Sequence, residues 1–418
     1  MRVLLLGAGV TGVTTAWSLL QAGHEVTVVD RQPGPGLETS FANGGQISVS
    51  HPEPWSSPAA PMIALRSLGR RDAPVRLRFG MNPERWRWLL EFLRECWPSR
   101  HSRNTDSIAR LAVHSATCLQ TLRAATGLAY DAKTRGILHL HYDAGAHRNA
   151  RERGRILNRY GIDNRLCSPD ECVDIEPALA GIHARLRGGM YAPNDESGDA
   201  YLFTRALSRL ATEHGAHFFY DTLITSLAID GTRVTGAHVR DAQGERIFDA
   251  DAVVVCLGCA SPALAAQAGE RLPIHPLKGY SITAPIVVRE RAPIVSLTDE
   301  GRRIVSSRLG ERLRVAGTAE INGGNTQIDD ARIALLRAWL EELFPGATDS
   351  SAVEAWAGLR PCTPSCVPII GPGKLEGLWF NTGHGSLGWT LAAGSADLLS
   401  ALIQGKPSPV TGFPLHRG

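Results

Sequence analysis

Apolar residues fall along this chain in three rhythms, and each predicts a kind of element. Unbroken apolar stretches at residues 3–6 and 252–257, and largely apolar ones at 24–29 and 378–382, suit short strands buried on both faces. Gly7, Asp30, Gly258 and Gly383 close them in turn. Helical spacing runs over residues 10–22, 84–97, 203–214, 333–344 and 389–402. Residues 107–160 read as largely helical around one apolar strand at 136–141. Residues 274–320 instead alternate apolar and polar, as antiparallel strands with one covered face do. A polar hairpin turning at Asp230-Gly231 and again at residues 241–244 lies between these blocks.

The pattern predicts an α/β protein in which a Rossmann-like nucleotide domain is assembled from discontinuous segments. Those segments are residues 1–60, 197–270 and 355–418. Residues 61–196 and 271–354 then form an α+β substrate domain built on an antiparallel sheet.

The opening segment has a specific chemistry. Gly7-Ala8-Gly9-Val10-Thr11-Gly12 joins a strand to a helix, and Asp30 follows at the end of the next strand, 18 positions after Gly12. Gly7 permits the tight turn, Gly9 lets backbone approach a pyrophosphate, and Gly12 lets helix and strand close together. The helix start, Val10 and Thr11 included, offers N–H groups to phosphate, and Asp30 accepts from ribose hydroxyls. An acid there disfavours the 2′-phosphate of NADP but leaves NAD and FAD open. Arg31 and Ile224 are counted among the cofactor contacts. A loop rich in small and polar residues follows, with Thr39, Ser40, Asn43, Gly44, Gly45, Gln46 and Ile47 available to wrap a ligand. Gly258 closes a later strand where backbone again meets cofactor. A second glycine-rich helix start, Gly383-His384-Gly385-Ser386-Leu387-Gly388-Trp389, with Thr390 next, suits an anion or an electron-rich ring.

Composition narrows the class. A formal net charge of +3 over 418 residues gives no reason to expect nucleic acid. Eight scattered cysteines are unlike a secreted disulfide scaffold, so reduced thiols and a cytoplasmic setting are expected. Cys256-Leu257-Gly258-Cys259 has no second pair at zinc-site spacing, so no metal is expected. No apolar run approaches the ~20 residues of a membrane span, and the glycine-patterned start reads as folded chain and not as a signal peptide. Residues 66–97 combine Trp86, Trp88 and Trp97 with Arg66, Arg70, Arg71, Arg76, Arg78, Arg85, Arg87 and Arg94. Core aromatics beside a solvated arginine face are the favoured reading. Peripheral contact with the inner face of an anionic cytoplasmic membrane is the alternative.

The chain resembles the FAD-dependent amine and D-amino-acid oxidoreductases, most closely the bacterial D-amino-acid dehydrogenase small-subunit family. The resemblance runs through residues 7–12, 39–48, Pro193-Asn194-Asp195-Glu196-Ser197-Gly198-Asp199, 276–281, Gly358-Leu359-Arg360-Pro361 and 382–390. It implies non-covalent FAD, with residues 39–46 running past the flavin and Gly383 to Thr390 facing its pyrimidine end. It also implies that Arg360 grips a substrate carboxylate, with Tyr280 a second contact, a wall of the pocket, or core. His51 and His384 lie in motif regions as candidate contributors, but the route needs no strong general base and none of the fourteen histidines is assigned as one. The implied reaction moves a hydride equivalent from Cα to flavin N5 and yields a 2-oxo acid and ammonia, electrons passing to a quinone or other carrier. A cyclic secondary amine such as D-proline or hydroxy-D-proline is the alternative substrate, and a non-catalytic flavin-binding subunit the third reading. Three departures bear on substrate: Thr363-Pro364-Ser365-Cys366 replaces the family's Thr-Pro-Asp-Gly, His51 stands where a small or aromatic residue is usual, and Cys256 and Cys259 flank Gly258.

Overall fold

A computed structural model describes residues 1–67, 75–77, 82–321 and 323–418. Arg70, Arg71 and Arg78 of the basic segment lie outside the described residues.

The four apolar runs meet in one sheet. Its order is Ile369–Pro372, Leu378–Thr382, Ala252–Val255, Arg2–Leu6, Glu25–Val29, His217–Phe219. All neighbours are parallel except the first pair. Arg2–Leu6 lacks polar alternation because both faces are covered. Val3 and Leu5 join the core under the helices Val10–Gln21, Ala200–Glu213 and Gly388–Ile403. Leu4 and Leu6 face Leu227, Val234 and Val239 of the antiparallel three-stranded sheet that contains the polar hairpin.

A nine-stranded, mostly antiparallel sheet forms the second unit. Its longest strand, His275–Pro285, lies next to the edge and pairs with Arg312–Ile321 on one side and the edge strand Glu354–Cys362 on the other. The helix Asp330–Leu343 covers one face with Leu336, Trp339 and Leu343, against Tyr280, Ile282 and Val315. The opposite face, with Gly279 and Ser281, is turned toward the nucleotide unit.

Two assignments differ from the sequence expectation. Glu354–Cys362 belongs to the large sheet, registered from Thr283↔Glu354 to His275↔Cys362, so the nucleotide unit does not begin at 355. The 29-residue helix Pro98–Thr126 sits within residues 61–196 yet packs on Gly388–Ile403 through a core shared by Ile108, Leu111 and Leu119. Its polar remainder hid that apolar stripe. One stretch, Gly385–Ile403, is also long and apolar enough to cross a membrane by composition. Most of it is buried against Val10–Gln21 and Pro98–Thr126, which accounts for its apolarity as a core helix.

Candidate active site

A cavity of about 1160 Å³ lies between the two units. At one end it is lined by Gly7, Gly9, Val10, Thr11, Asp30 and Arg31. Gly7 holds φ +108°, and a Cβ on Gly12 would stand 1.9 Å from the Gly7 carbonyl oxygen, so the turn accepts only glycine at both positions. Gly12 works by this packing and does not line the cavity. Gly9 offers no side chain to the helix start, and Ser40 Oγ accepts from Val10 N at 3.0 Å. The Asp30 carboxylate is oriented by Ala8 N (2.6 Å) and Gln32 N (2.8 Å). Burial raises its pKa, and those two amides only partly offset the effect. Arg31 pairs with Glu38 at the rim, and Ile224 and Gly258 also line this end.

The loop at 39–46 crosses the middle. Thr39 donates to Leu359 O (2.8 Å), Asn43 Oδ1 accepts from Gly45 N (3.0 Å), and Gln46 donates to Ser296 Oγ (2.9 Å) and Thr298 Oγ1 (3.1 Å). Gly44 stands over Val305 so closely that a Cβ would approach its Cγ2 to 2.6 Å. Ile47 pairs with Glu196 and is buried in the core, off the cavity wall. That placement corrects its expected cofactor contact: on a two-residue strand its side chain takes the core face.

The glycine-rich stretch after the strand Leu378–Thr382 makes a short turn, Gly385–Leu387, and then the helix Gly388–Ile403, whose start no side chain caps. Gly383, His384, Gly385, Ser386, Leu387, Gly388, Trp389 and Thr390 all line the cavity. Thr390 Oγ1 accepts from Ser48 N (3.1 Å), tying this helix to the loop. Trp389 donates to Gly198 O and packs on Phe203. His384 bonds Ser395 Oγ, and burial pushes its imidazole down to about 3, so it is neutral and serves as structure.

Arg360 reaches the cavity from the edge strand of the large sheet. Its Nη1 donates to Thr318 O (3.2 Å), and the guanidinium lies 5.7 Å from the Trp55 ring centre. Among the described residues no carboxylate pairs with it. Burial lowers its pKa; this is a cation held ready without an anion. Gly279 makes room, since a Cβ there would lie 2.3 Å from Nη1.

Tyr280 is one residue along, and the strand's alternation turns it away. It is 1% exposed, donates to Glu320 Oε2 (3.0 Å) and packs in the core beneath Asp330–Leu343. Tyr280 still lines the cavity, but with its hydroxyl held by Glu320 in the core its expected role as a substrate contact is corrected to a packed part of the wall. His51 lines the cavity with Nδ1 3.1 Å from Glu53 Oε2.

Residues 2–402 match the family described as FAD dependent oxidoreductase. The chain belongs to that family. It is 48% identical to the D-amino acid dehydrogenase of Dechloromonas aromatica, with both chains fully covered. It is 47% identical to that of Paramagnetospirillum magneticum, over 98% of this chain and 97% of the relative. Among solved structures, an L-proline dehydrogenase from P. horikoshii superposes with TM-score 0.75 at 19% identity, covering 99% and 96% of the two chains. A glycine oxidase from Bacillus cereus gives 0.74 at 21%, covering 100% and 99%. These two likenesses show the fold.

The cofactor of this FAD-dependent family member is FAD, and the cavity fits it on physical grounds. Two helices whose N-cap residues offer no side chain point their starts at it, an acid is oriented at the ribose position, and among the described residues Ser48 Oγ, Thr318 Oγ1 and Asn381 Oδ1 are buried without a protein partner along its walls. Gly7 to Thr11 with Asp30 would hold the ADP half. Residues 43–46 and 383–390 would hold the ring, where a helix start stabilises negative charge.

Several lining residues carried no usable signal in the sequence: Glu53, Trp55, Arg153, Glu300 and Thr318. Thr318 adopts φ +59°, unusual for a β-branched residue, and this lies at the sheet irregularity that turns its carbonyl to Arg360. All eight cysteines are free. Burial pushes the Cys256 and Cys259 thiols up to about 12, so they are protonated at neutral pH. Away from the cavity, His114, Cys118 and Asp397 bring three donor atoms within 4.8 Å of one another. The His114–Asp397 hydrogen bond of 2.9 Å accounts for that grouping.

Proposed function

We propose that this chain oxidises D-amino acids to 2-oxo acids and ammonia and passes the electrons to a membrane quinone or similar carrier. The observation that carries the reading is Arg360: a guanidinium with no anion partner among the described residues, set on the cavity wall beside Trp55 and Gly279. Such a group binds a carboxylate in bidentate fashion and fixes the α-carbon. Close relatives named D-amino acid dehydrogenase, matched end to end, support the substrate class. Bound FAD supplies the two-electron acceptor. The chain's own residues hold the substrate by its carboxylate, enclose it, and favour the neutral amine from which the α C–H electrons can leave.

The basic tryptophan segment supports docking at the inner face of the cytoplasmic membrane. It divides its aromatics between two faces. Trp88 is buried and donates to Cys362 O (2.9 Å). Trp86, Leu90, Leu93 and Trp97 form an exposed stripe along Pro83–Glu95 and just beyond, with Arg87 and Arg94 among them. Apolar side chains interleaved with arginines suit an anionic lipid surface. Sedimentation with anionic vesicles should lose the Leu90→Glu/Leu93→Glu variant, and equal binding by variant and wild type would remove this surface from the account.

Steady-state assay with a dye acceptor and a panel of D-amino acids tests the reaction. One 2-oxo acid and one ammonia per two electrons is expected. Turnover of D-proline or hydroxy-D-proline without ammonia would move the substrate to cyclic secondary amines, and bound FAD without any turnover would make the chain a flavin-binding subunit.

A further inference from the structure

In the cavity wall near Trp55, and directly behind it, lies a cluster of ionisable groups drawn from four separate parts of the chain. His51 and Glu53 come from the loop after residue 46, Arg153 from the helix Ala144–Asn158, Glu300 from the turn after Ser296–Asp299, and His139 from Ile137–His141. Arg153 donates to Glu300 Oε1 at 2.8 Å and lies 3.5 Å from Glu53 Oε1. Glu53 Oε2 meets His51 Nδ1 at 3.1 Å. The His139 ring stands edge-on to His51 at 5.7 Å, its own Nδ1 2.8 Å from Glu300 Oε1. Below the loop, Asp195 accepts from Val49 N and Ser50 N (3.0 and 3.1 Å) and so fixes the backbone next to His51.

Holding this many charges half-withdrawn from solvent carries a desolvation cost. A cluster of this kind opening on a ligand cavity points to chemistry. The arrangement has the logic of an oriented base. Nδ1–H donated to a carboxylate fixes the tautomer and leaves the Nε2 lone pair free. Among the described residues no protein group takes that Nε2, and His51 lines the cavity.

We propose that His51 Nε2 accepts the ammonium proton of the bound substrate, with Glu53 and Arg153 as the positioning residues. The step rests on the D-amino-acid reading above. The substrate's R–NH3+ gives one N–H proton to Nε2, and the electron pair stays on nitrogen. The product pair is a neutral amine and an imidazolium facing Glu53 and Glu300. The imidazolium returns its proton to water when the product leaves.

The electrostatics agree. Burial alone would lower the His51 pKa, but Glu300 and Glu53 outweigh it and raise the pKa, against an opposing contribution from Arg153. Burial raises Glu300 and Glu53 too, yet Arg153 and His51 bring both below the usual carboxylate range, so both are ionised at neutral pH. Burial lowers His139, which stays neutral. Asp195 is pushed up to about 6 by burial. His51 is thus the group on this wall whose charge the two glutamates favour.

The test is the pH profile of kcat/KM for holoenzyme with a D-amino acid and a dye acceptor. His51→Gln should lose the wild-type inflection, fall about 100-fold on the acid side, and approach wild type at high pH, where the free amine is supplied by solution. Imidazole should restore part of His51→Ala activity. Glu53→Gln should keep the inflection but move it to lower pH, which a merely structural role would not do. FAD content and the dithionite-bleached spectrum establish that each variant is folded and loaded. A His51→Gln profile superimposed on wild type, or a Glu53→Gln inflection left in place, would overturn the assignment while leaving the reaction intact. Wild type inactive on every D-amino acid would overturn the reaction and the assignment together.

Discussion

Replacing Arg360 by leucine separates substrate binding from stability, because the two should move in opposite directions. The guanidinium is sheltered, pairs with no carboxylate among the described residues, and makes one hydrogen bond to Thr318 O and one contact with the Trp55 face. Removing one partner of a buried charge pair costs about 2–5 kcal/mol. At about 1.4 kcal/mol per decade, kcat/KM should fall about 30-fold to a few thousand-fold. The free protein has the opposite balance. Leucine loses one hydrogen bond, worth about 1 kcal/mol net, and a cation–π contact of similar size. It relieves a half-buried charge without an anion partner among the described residues, which carries a desolvation cost of its own. Tm should hold or rise. Arg360→Lys keeps the charge without the planar fork and should fall between the two. Steady-state kinetics against substrate concentration, paired with thermal unfolding of the FAD-loaded protein, reads both quantities. An unchanged kcat/KM, or a variant that loses Tm and FAD together, would refute the clamp.

Gly279→Ala should reach the same function by steric means: with a methyl 2.3 Å from Nη1 the guanidinium must move, so KM rises while FAD content stays at wild-type level. Gly12→Ala should abolish FAD retention or folding, since its Cβ would sit 1.9 Å from the Gly7 carbonyl, and purification without flavin colour checks it. Acidification should act on Asp30 in two directions. Its folded-state pKa is raised above the unfolded value, so as pH falls through that window the proton taken up by the fold favours the apoprotein, while ribose loses its acceptor. FAD affinity should therefore fall before apoprotein stability does, and Asp30→Asn should remove the difference; parallel loss of both in wild type would contradict this reading.

How far the chain could be read from its residues follows from where each signal resides. The ADP end is local: Gly7, Gly9, Gly12 and Asp30 occupy one strand–helix–strand unit, and spacing alone conveys their geometry. The continuous apolar strands likewise announced a sheet covered on both faces. The face of Tyr280 is also legible, because period-two alternation sets it with Ile282 and opposite Gly279 and Ser281. Ile47 fails for a similar reason, at a strand too short to display its pattern. Glu53, Arg153 and Glu300 were out of reach: they are separated by about 100 residues or more and meet only after the large sheet closes on Ala144–Asn158. The αL turn at Thr318 is a product of sheet irregularity that no local motif encodes.

The most direct test is anaerobic mixing of the purified flavoprotein with matched D- and L-amino acids while following the flavin absorption band. The account predicts that D-enantiomers bleach the band and that Arg360→Leu bleaches far more slowly at equal concentration. A band untouched by every D-amino acid, or bleached by L-enantiomers instead, would contradict it.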